Sequence, residues 1–315
     1  MSLDPVILFF LLGLTAGIMR ADLRLPAAVY DLLSVLLLLS IGMKGGMAMS
    51  GLPVGMLAGQ LSAVAVMGLL TGLVAYGVLL LARGLPRSDA ASIAAHYGSV
   101  SVGTYAVAVA YLAYLDVPFE AHIAAFVVVL EVPAILLGIA LARGLRPSGG
   151  WRPVGREVFL GKSVVLLLGG LLIGVIAGPA ALEPIAPLFF DAFKGILALF
   201  LLEMGLVAAG QLGAVRRHGL FILAFALLMP LLGGLIGTGF AALLGLSLGG
   251  ALLLTTLGAS ASYIAAPAAM RMAVPDANPG LSLTASLAVT FPFNVLVGIP
   301  LYFRILQTFW PTTGA

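Results

Sequence analysis

Long apolar blocks without a single charge alternate along this chain with short charged clusters. Residues 45–82 contain no Asp, Glu, Lys or Arg, and neither do residues 218–270. The blocks are continuous, the pattern of membrane-spanning helices; strands of a transmembrane barrel alternate apolar and polar residues. A span takes about 20 apolar residues, so the block 218–270 holds two, with a turn at Gly245-Leu246-Ser247-Leu248-Gly249. The pattern predicts ten transmembrane helices, at 5–19, 27–42, 53–82, 89–114, 119–142, 163–178, 187–205, 219–244, 247–272 and 280–305.

Two of these spans carry small polar runs at mid-depth, where lipid-facing helix has no use for them. The first is Gly98-Ser99-Val100-Ser101-Val102-Gly103-Thr104 and the second is Gly258-Ala259-Ser260-Ala261-Ser262-Tyr263. Backbone freed from a helix inside a bilayer must be buried in protein or line a wet cavity. The fourth span is therefore expected to break over 98–103 and the ninth near 258–262.

Composition fixes the class. The chain is 62% hydrophobic and 9% charged, where a soluble domain carries about a quarter charged residues. This is an all-α polytopic membrane protein in contact with membrane lipid. There is no cysteine, which excludes disulfides and thiolate chemistry. The formal net charge of +3 comes from basic residues scattered over loops, so nucleic acid is not an expected partner. The first span begins almost at once and no small-residue cleavage site precedes it, so no removed signal peptide is expected.

The scattered charges orient the spans. Alternate loops hold Arg20, Arg24, Arg83, Arg87, Arg143, Arg146, Arg152, Arg156, Lys162, Arg216, Arg217 and Arg271, against Lys44, Lys194 and Arg304 on the other side. By the positive-inside rule, the linker 143–162 is cytoplasmic and both termini face outward, in a bacterial plasma (inner) membrane.

The two halves of the chain echo each other at an offset near 160. Gly13 and Gly17 match Gly170 and Gly174. Asp31 with Ile41-Gly42-Met43 matches Asp191 with Glu203-Met204-Gly205, and the two breaks match each other. Glu131-Val132-Pro133 matches Phe291-Pro292-Phe293. Five spans per half is an odd number, so residues 1–142 and 163–315 form two inverted repeats joined by 143–162, an architecture of transporters.

Inversion makes the two resumed half-helices face each other near mid-membrane. Helix N-termini offer N–H groups and a positive dipole end to an anion. The expected substrate-binding residues are Gly98, Ser99, Ser101, Gly103, Thr104, Ser260, Ser262 and Tyr263. Preceding helix ends expose carbonyls suited to a monovalent cation, for which Ser101, Thr104, Glu131 and Ser262 are the candidate ligands. An intramembrane carboxylate such as Glu131 is costly and functional by default. His96 and Asn294 are candidate supports, Asn294 through a hydrogen bond to the break. Glu203 is read as interfacial, at the outer end of the seventh span. Met43 to Met56 is read as packing. No cofactor is expected, no metal beyond Na+, and no nucleophile–base pair or metal-ligand cluster that would make an enzyme.

At these motifs the chain resembles the sodium-dependent bicarbonate transporter family (SbtA-type), as a divergent member. The resemblance rests on Ile41-Gly42-Met43-Lys44-Gly45-Gly46-Met47-Ala48, the Gly98–Thr104 run, Glu131-Val132-Pro133-Ala134, Ala259–Ile264 and Val274-Pro275-Asp276-Ala277-Asn278-Pro279. It implies import of bicarbonate by sodium symport, a gate domain of spans 1, 2, 6 and 7, and a moving core of spans 3–5 and 8–10. It also implies elevator-like motion, a homotrimer and a PII-like cytoplasmic regulator. Where the family carries an acidic residue after the second serine run, this chain has Tyr263. That substitution leaves H+ coupling, or an uncoupled carrier of another small monoanion, beside sodium symport as alternatives. An anion channel is a further one, disfavoured by the lack of a charged pore ring.

Overall fold

The computed structural model describes residues 4–23, 25–81, 85–144, 151–215 and 219–310. Arg24, Arg83, Arg146, Arg216, Arg217 and His218, together with linker residues 145–150, lie outside the described residues. The helices are α1 (Pro5–Ile18), α2 (Ala27–Met49), α3 (Val54–Leu80), α4 (Arg87–Gly98), α5 (Val102–Tyr114), α6 (Ala124–Leu130), α7 (Pro133–Arg143) and α8 (Trp151–Phe159). They continue as α9 (Lys162–Leu182), α10 (Phe193–Val215), α11 (Gly219–Leu243), α12 (Leu248–Ala259), α13 (Ala265–Ala273), α14 (Pro279–Leu283), α15 (Phe291–Phe293) and α16 (Ile299–Phe309). Among the described residues there is no strand. Seven helical stretches are long and apolar enough to cross a membrane, and α1 and α12 are shorter apolar helices.

Several boundaries differ from those expected, each for a local reason. α2 continues past residue 42 to Met49 because the Lys44 ammonium does not end it: Lys44 lies over the rings of Phe190 and Phe193, at 5.6 and 5.0 Å. Aromatic faces shelter a cation at such distances. The sixth span, expected to end at 178, is helical to Leu182 across a kink at Gly178, whose φ is +68°. Gly178 precedes Pro179, and the residue before proline is driven out of the helical region. A π-helical turn occupies Pro187–Asp191, so the seventh span starts later and runs to Val215. Glu203 therefore sits in the middle of α10 and not at its outer end, and the Leu25 backbone hydrogen-bonds its carboxylate. The linker holds a helix that its Arg, Gly and Pro content concealed. In α8, Val154 and Val158 lie one turn apart and join a buried cluster with Ala269 and Met270 of α13.

Close backbone contacts fix helix directions. Gly13 of α1 faces Leu202 of α10 and Gly17 faces Leu206 and Ala209, so α1 and α10 run parallel. Gly42 faces Gly170, and Gly46 faces Leu171 and Val175, so α2 and α9 also run parallel. Tyr30 stacks on Phe200 while Lys44 reaches Phe193, so α2 opposes α10. It follows that α1 and α9 point in opposite directions.

Contacts between loops sort them onto two faces. On one face the Arg87 side chain donates to Leu141 O at 2.9 Å, and the Asn278 N–H donates to the Asp89 carboxylate at 2.7 Å. On the other, the Ser247 N–H and hydroxyl donate to the Glu120 carboxylate at 2.7 and 2.9 Å, and the Trp310 indole donates to Leu246 O.

Candidate functional site

Both interruptions are present; the first is shorter than expected and the second lies two residues further along the chain. α4 stops at Gly98, Ser99 and Ser101 are extended, and α5 starts at Val102. α12 stops at Ala259, Ser260 is extended, and α13 starts at Ala265. A serine hydroxyl takes a first-turn N–H of each resumed helix, Ser101 as the N-cap of α5 and Ser262 from two residues before Ile264, the N-cap of α13. The Ser101 hydroxyl accepts the Thr104 N–H at 3.0 Å and the Thr104 hydroxyl at 2.8 Å. The Ser262 hydroxyl accepts the Ala266 N–H at 3.2 Å. Capping satisfies donors that helix geometry leaves orphaned. The first-turn N–H groups of Thr104 and Ala266 are therefore already occupied, a refinement of the open helix ends expected above.

The breaks are tied to each other. The Ser101 N–H donates to the Ser260 hydroxyl at 3.1 Å, and the Ser262 N–H donates to His96 O at 2.8 Å. The Ser260 hydroxyl itself donates to Leu257 O. Asn294 donates to Ala259 O at 2.8 Å, the bond to the second break that its position suggested, and accepts from the Tyr302 hydroxyl. Glu131 lies where α6 gives way to α7 at Pro133, which cannot continue the helix. Its backbone oxygen accepts from the Ser99 hydroxyl at 3.3 Å, and Ser163 hydrogen-bonds its carboxyl.

Between the breaks is a cavity of about 10 Å³, lined by Val100, Ser101, Val102, Glu131, Ser262, Tyr263 and Ile264. A void of that size holds one water-sized body. Glu131 Oε2 is buried without a hydrogen-bond partner, and the buried Tyr263 hydroxyl has only Ser101 beside it to pair with. Buried polar atoms are nearly always paired, so an orphaned carboxylate oxygen on the wall of this small cavity points to something that binds there. The Tyr263 ring meets Phe291 edge to face at 5.1 Å, and its hydroxyl lies against Gly103, beside Phe200. Only a residue without a Cβ leaves room for that hydroxyl.

The structure thus gathers Ser99, Ser101, Ser260, Ser262, Tyr263, Glu131, the backbone of His96 and Asn294 at one place. Thr104 is one turn inside α5, its hydroxyl spent on Ser101. Gly98 faces α3 and α7, where a Cβ would meet Gly68, Gly72 and Ala134, so it is a packing position and does not line the cavity. Sequence reasoning missed Ser163, a single hydroxyl at the head of an apolar run, which carries no spacing signal. It also missed Tyr97, whose hydroxyl pairs with Thr290 at 2.6 Å across the two halves. An aromatic residue beside the first break was the available hint.

The described helices and their composition define a multi-pass membrane protein with two interrupted helices meeting in its interior. The chain belongs to the Na+-dependent bicarbonate transporter superfamily, whose family model matches residues 5–307. Membership makes it a transporter and not an enzyme. No curated protein matches the chain.

Proposed function

We propose that this protein imports bicarbonate across the bacterial plasma membrane together with a monovalent cation, and that the paired breaks are where both are held. The carrying observation is the small cavity between Ser101, Ser262, Glu131 and Tyr263, with the orphaned carboxylate oxygen of Glu131 on its wall. A carboxylate, a phenol and two serine hydroxyls form an all-oxygen set suited to a hard cation. The cavity is too small for bicarbonate, so the anion enters only when the two breaks or Tyr263 move apart. The serine hydroxyls and helix starts then supply its donors.

The architecture that supports this reading is ten spans in two inverted repeats. The antiparallel sense of α1 and α9, the first spans of each half, is what an odd number of crossings per half requires. α1, α2, α9 and α10 form the gate, knit by backbone-to-backbone contacts at glycines. Its contact with the rest is partly hollow: Gly45 sits against Ala124 and Ala125 and Phe10 meets Phe291, while a cavity of about 380 Å³ lies between Ile41, Lys44 and Phe193 on one side and Tyr105, Val109 and Ala124 on the other. Glycine-knit helices beside a hollow boundary suit an elevator-like motion of the core against the gate.

Uptake of labelled bicarbonate into proteoliposomes, with and without an inward sodium gradient, tests the reading. Uptake that rises with the gradient is expected. Bicarbonate that never accumulates under any gradient rejects the substrate. One observation favours a second reading, proton-coupled or uncoupled transport: Tyr263 puts a neutral phenol at the cavity. Under it, uptake is indifferent to sodium, and Tyr263→Asp creates sodium dependence.

A further inference from the structure

A second cavity, of about 210 Å³, lies between α4 and α13 and opens toward the 274–279 loop. Among its lining residues are Ser92, His96, Arg271 and Ser282. It ends one turn before the first break, where the His96 carbonyl accepts the Ser262 N–H. The backbone of His96 is therefore the partition between this cavity and the site between the breaks. By the arginine count, the 274–279 loop is on the cytoplasmic face.

The polar groups here have defined hydrogen-bonding roles. His96 Nδ1 is 2.7 Å from Ser92 O, which can only accept, so Nδ1 carries the proton. In the neutral ring Nε2 is then an acceptor, and it is buried without a partner on a residue only 1% exposed. The hydroxyls of Ser92 and Ser282 are 3.1 Å apart. One of them donates to the other, so one hydroxyl proton remains to be given elsewhere. Arg271, in the last turn of α13, adds a guanidinium fork. Asp89 and Asp276 are the nearby carboxylates by sequence. Asp89 is held by the Asn278 N–H, and neither lines the cavity.

We propose that this cavity is a second subsite for a small oxyanion that carries its own proton, which the transported ion occupies on the cytoplasmic side of the breaks. The inference rests on the bicarbonate reading above. Arg271 and a serine hydroxyl donate to the anion's oxygens, and the anion's hydroxyl donates to His96 Nε2. Hydrogencarbonate fits that pattern of two acceptors and one donor. Nitrate and chloride have no proton to give, and a site built to receive one discriminates against them.

The chain has three histidines, so nitrogen resonances of histidine-labelled full-length protein in nanodiscs report on His96 directly. At fixed pH, sodium bicarbonate is expected to shift the His96 Nε2 signal in wild type and in Ser101→Ala. The shift is expected to be lost or at least tenfold weaker in Arg271→Gln, and absent with nitrate or chloride. In vesicles of known orientation, Arg271→Gln should raise the half-saturating bicarbonate concentration about tenfold for flux starting on the Arg271 face, and less than twofold from the other. A silent His96 signal in a protein that still transports bicarbonate overturns the subsite alone. An equal response to nitrate overturns its proton-donor selectivity. A normal shift in a protein that transports no bicarbonate rejects the transport reading and leaves the subsite standing.

Discussion

The two helices that lead into the breaks, α4 and α12, are each 12 residues long and have almost opposite compositions. α4 reads Arg-Ser-Asp-Ala-Ala-Ser-Ile-Ala-Ala-His-Tyr-Gly, and α12 reads Leu-Gly-Gly-Ala-Leu-Leu-Leu-Thr-Thr-Leu-Gly-Ala. Both are buried along most of their length. α4 satisfies its polar groups through partners from the other half: Ser282 for Ser92, Thr290 for Tyr97 and Asn278 for Asp89. α12 satisfies itself by packing, with Leu252, Leu253, Leu254 and Leu257 in the same buried cluster as Val107, Ala110 and Leu112 of α5. The consequence is a difference in access. The α4 side holds a cavity lined by polar groups, whereas residues at the corresponding α12–α5 contact are buried in apolar surroundings.

The largest effects should come from what the two half-helices share. Both carry, in their last turn, a glycine seated against another helix: Gly98 against Gly68 and Gly72 of α3, and Gly258 against Gly233 and Gly237 of α11. A Cβ on Gly258 would run into the Gly233 carbonyl, and backbone cannot step aside as a side chain can. Gly258→Val is expected to abolish recovery of folded, monodisperse protein, beyond the roughly 1–3 kcal/mol of ordinary overpacking. Gly77→Val, where a Cβ meets nothing within 4 Å, should purify and melt like wild type. Near-normal melting of Gly258→Val would mean that the α11–α12 contact is looser than the α3–α4 one.

Next in size is the carboxylate that only the first half possesses. Glu131 serves the cavity, while the corresponding stretch of the second half is Phe291-Pro292-Phe293. Glu131→Gln keeps the shape and the Ser163 hydrogen bond but removes the carboxylate from the proposed cation site. Bicarbonate uptake is expected to fall at least tenfold while the melting temperature holds or rises, since an unpaired buried carboxylate is itself costly. Uptake within twofold of wild type would make Glu131 a structural residue and leave the cation without its strongest ligand.

Much of this organisation was legible in the sequence. The charge-free blocks marked the spans, and the Gly/Ser runs marked the breaks to within a few residues, because freed backbone at depth demands small and polar side chains. What the sequence concealed had physical causes. The partners that bury the polar groups of α4 lie about 190 residues away, so no local pattern shows them. Lys44 resembled a helix end, because nothing local shows that Phe190 and Phe193 shelter it. The stretch 279–309 is one continuous helical run with π-helical segments at Thr284–Thr290 and Asn294–Gly298. Those segments shift the helical register, and periodicity alone does not announce such shifts.

A third pair of changes compares the outer supports of the half-helices. Asp89 lies on α4 itself and holds the 278 loop, whereas Glu120 lies on a loop and holds the start of α12 through Ser247. The two carboxylates thus make equivalent ties from opposite partners. Asp89 is the more deeply buried, and a hydrogen bond to a charged group contributes about 1.5–3 kcal/mol. Asp89→Ala should therefore lower stability by about that amount. Glu120→Ala, at a more exposed site, should cost less although it loses two bonds. The reverse order in thermal or denaturant melts of the purified variants would place the greater strain on the α12 side.

The smallest expected difference separates Ser101 and Ser262. Ser101 accepts two hydrogen bonds, at 3.0 and 2.8 Å, and Ser262 accepts one at 3.2 Å. Replacing the N-cap Ser101 by alanine costs about 1 kcal/mol, Ser262 precedes the Ile264 cap and loses a single hydrogen bond, and both variants also remove a hydroxyl from the cavity. Loss at Ser101 additionally frees the Thr104 hydroxyl, which then needs another partner in a buried place. Ser101→Ala should accordingly be the less stable of the two by several tenths of a kcal/mol and show the larger rise in half-saturating bicarbonate, each about severalfold. If Ser262→Ala suffers more, the second break carries the greater share of ion binding. The first would then act mainly as its scaffold, which inverts the assignment made from the capping geometry.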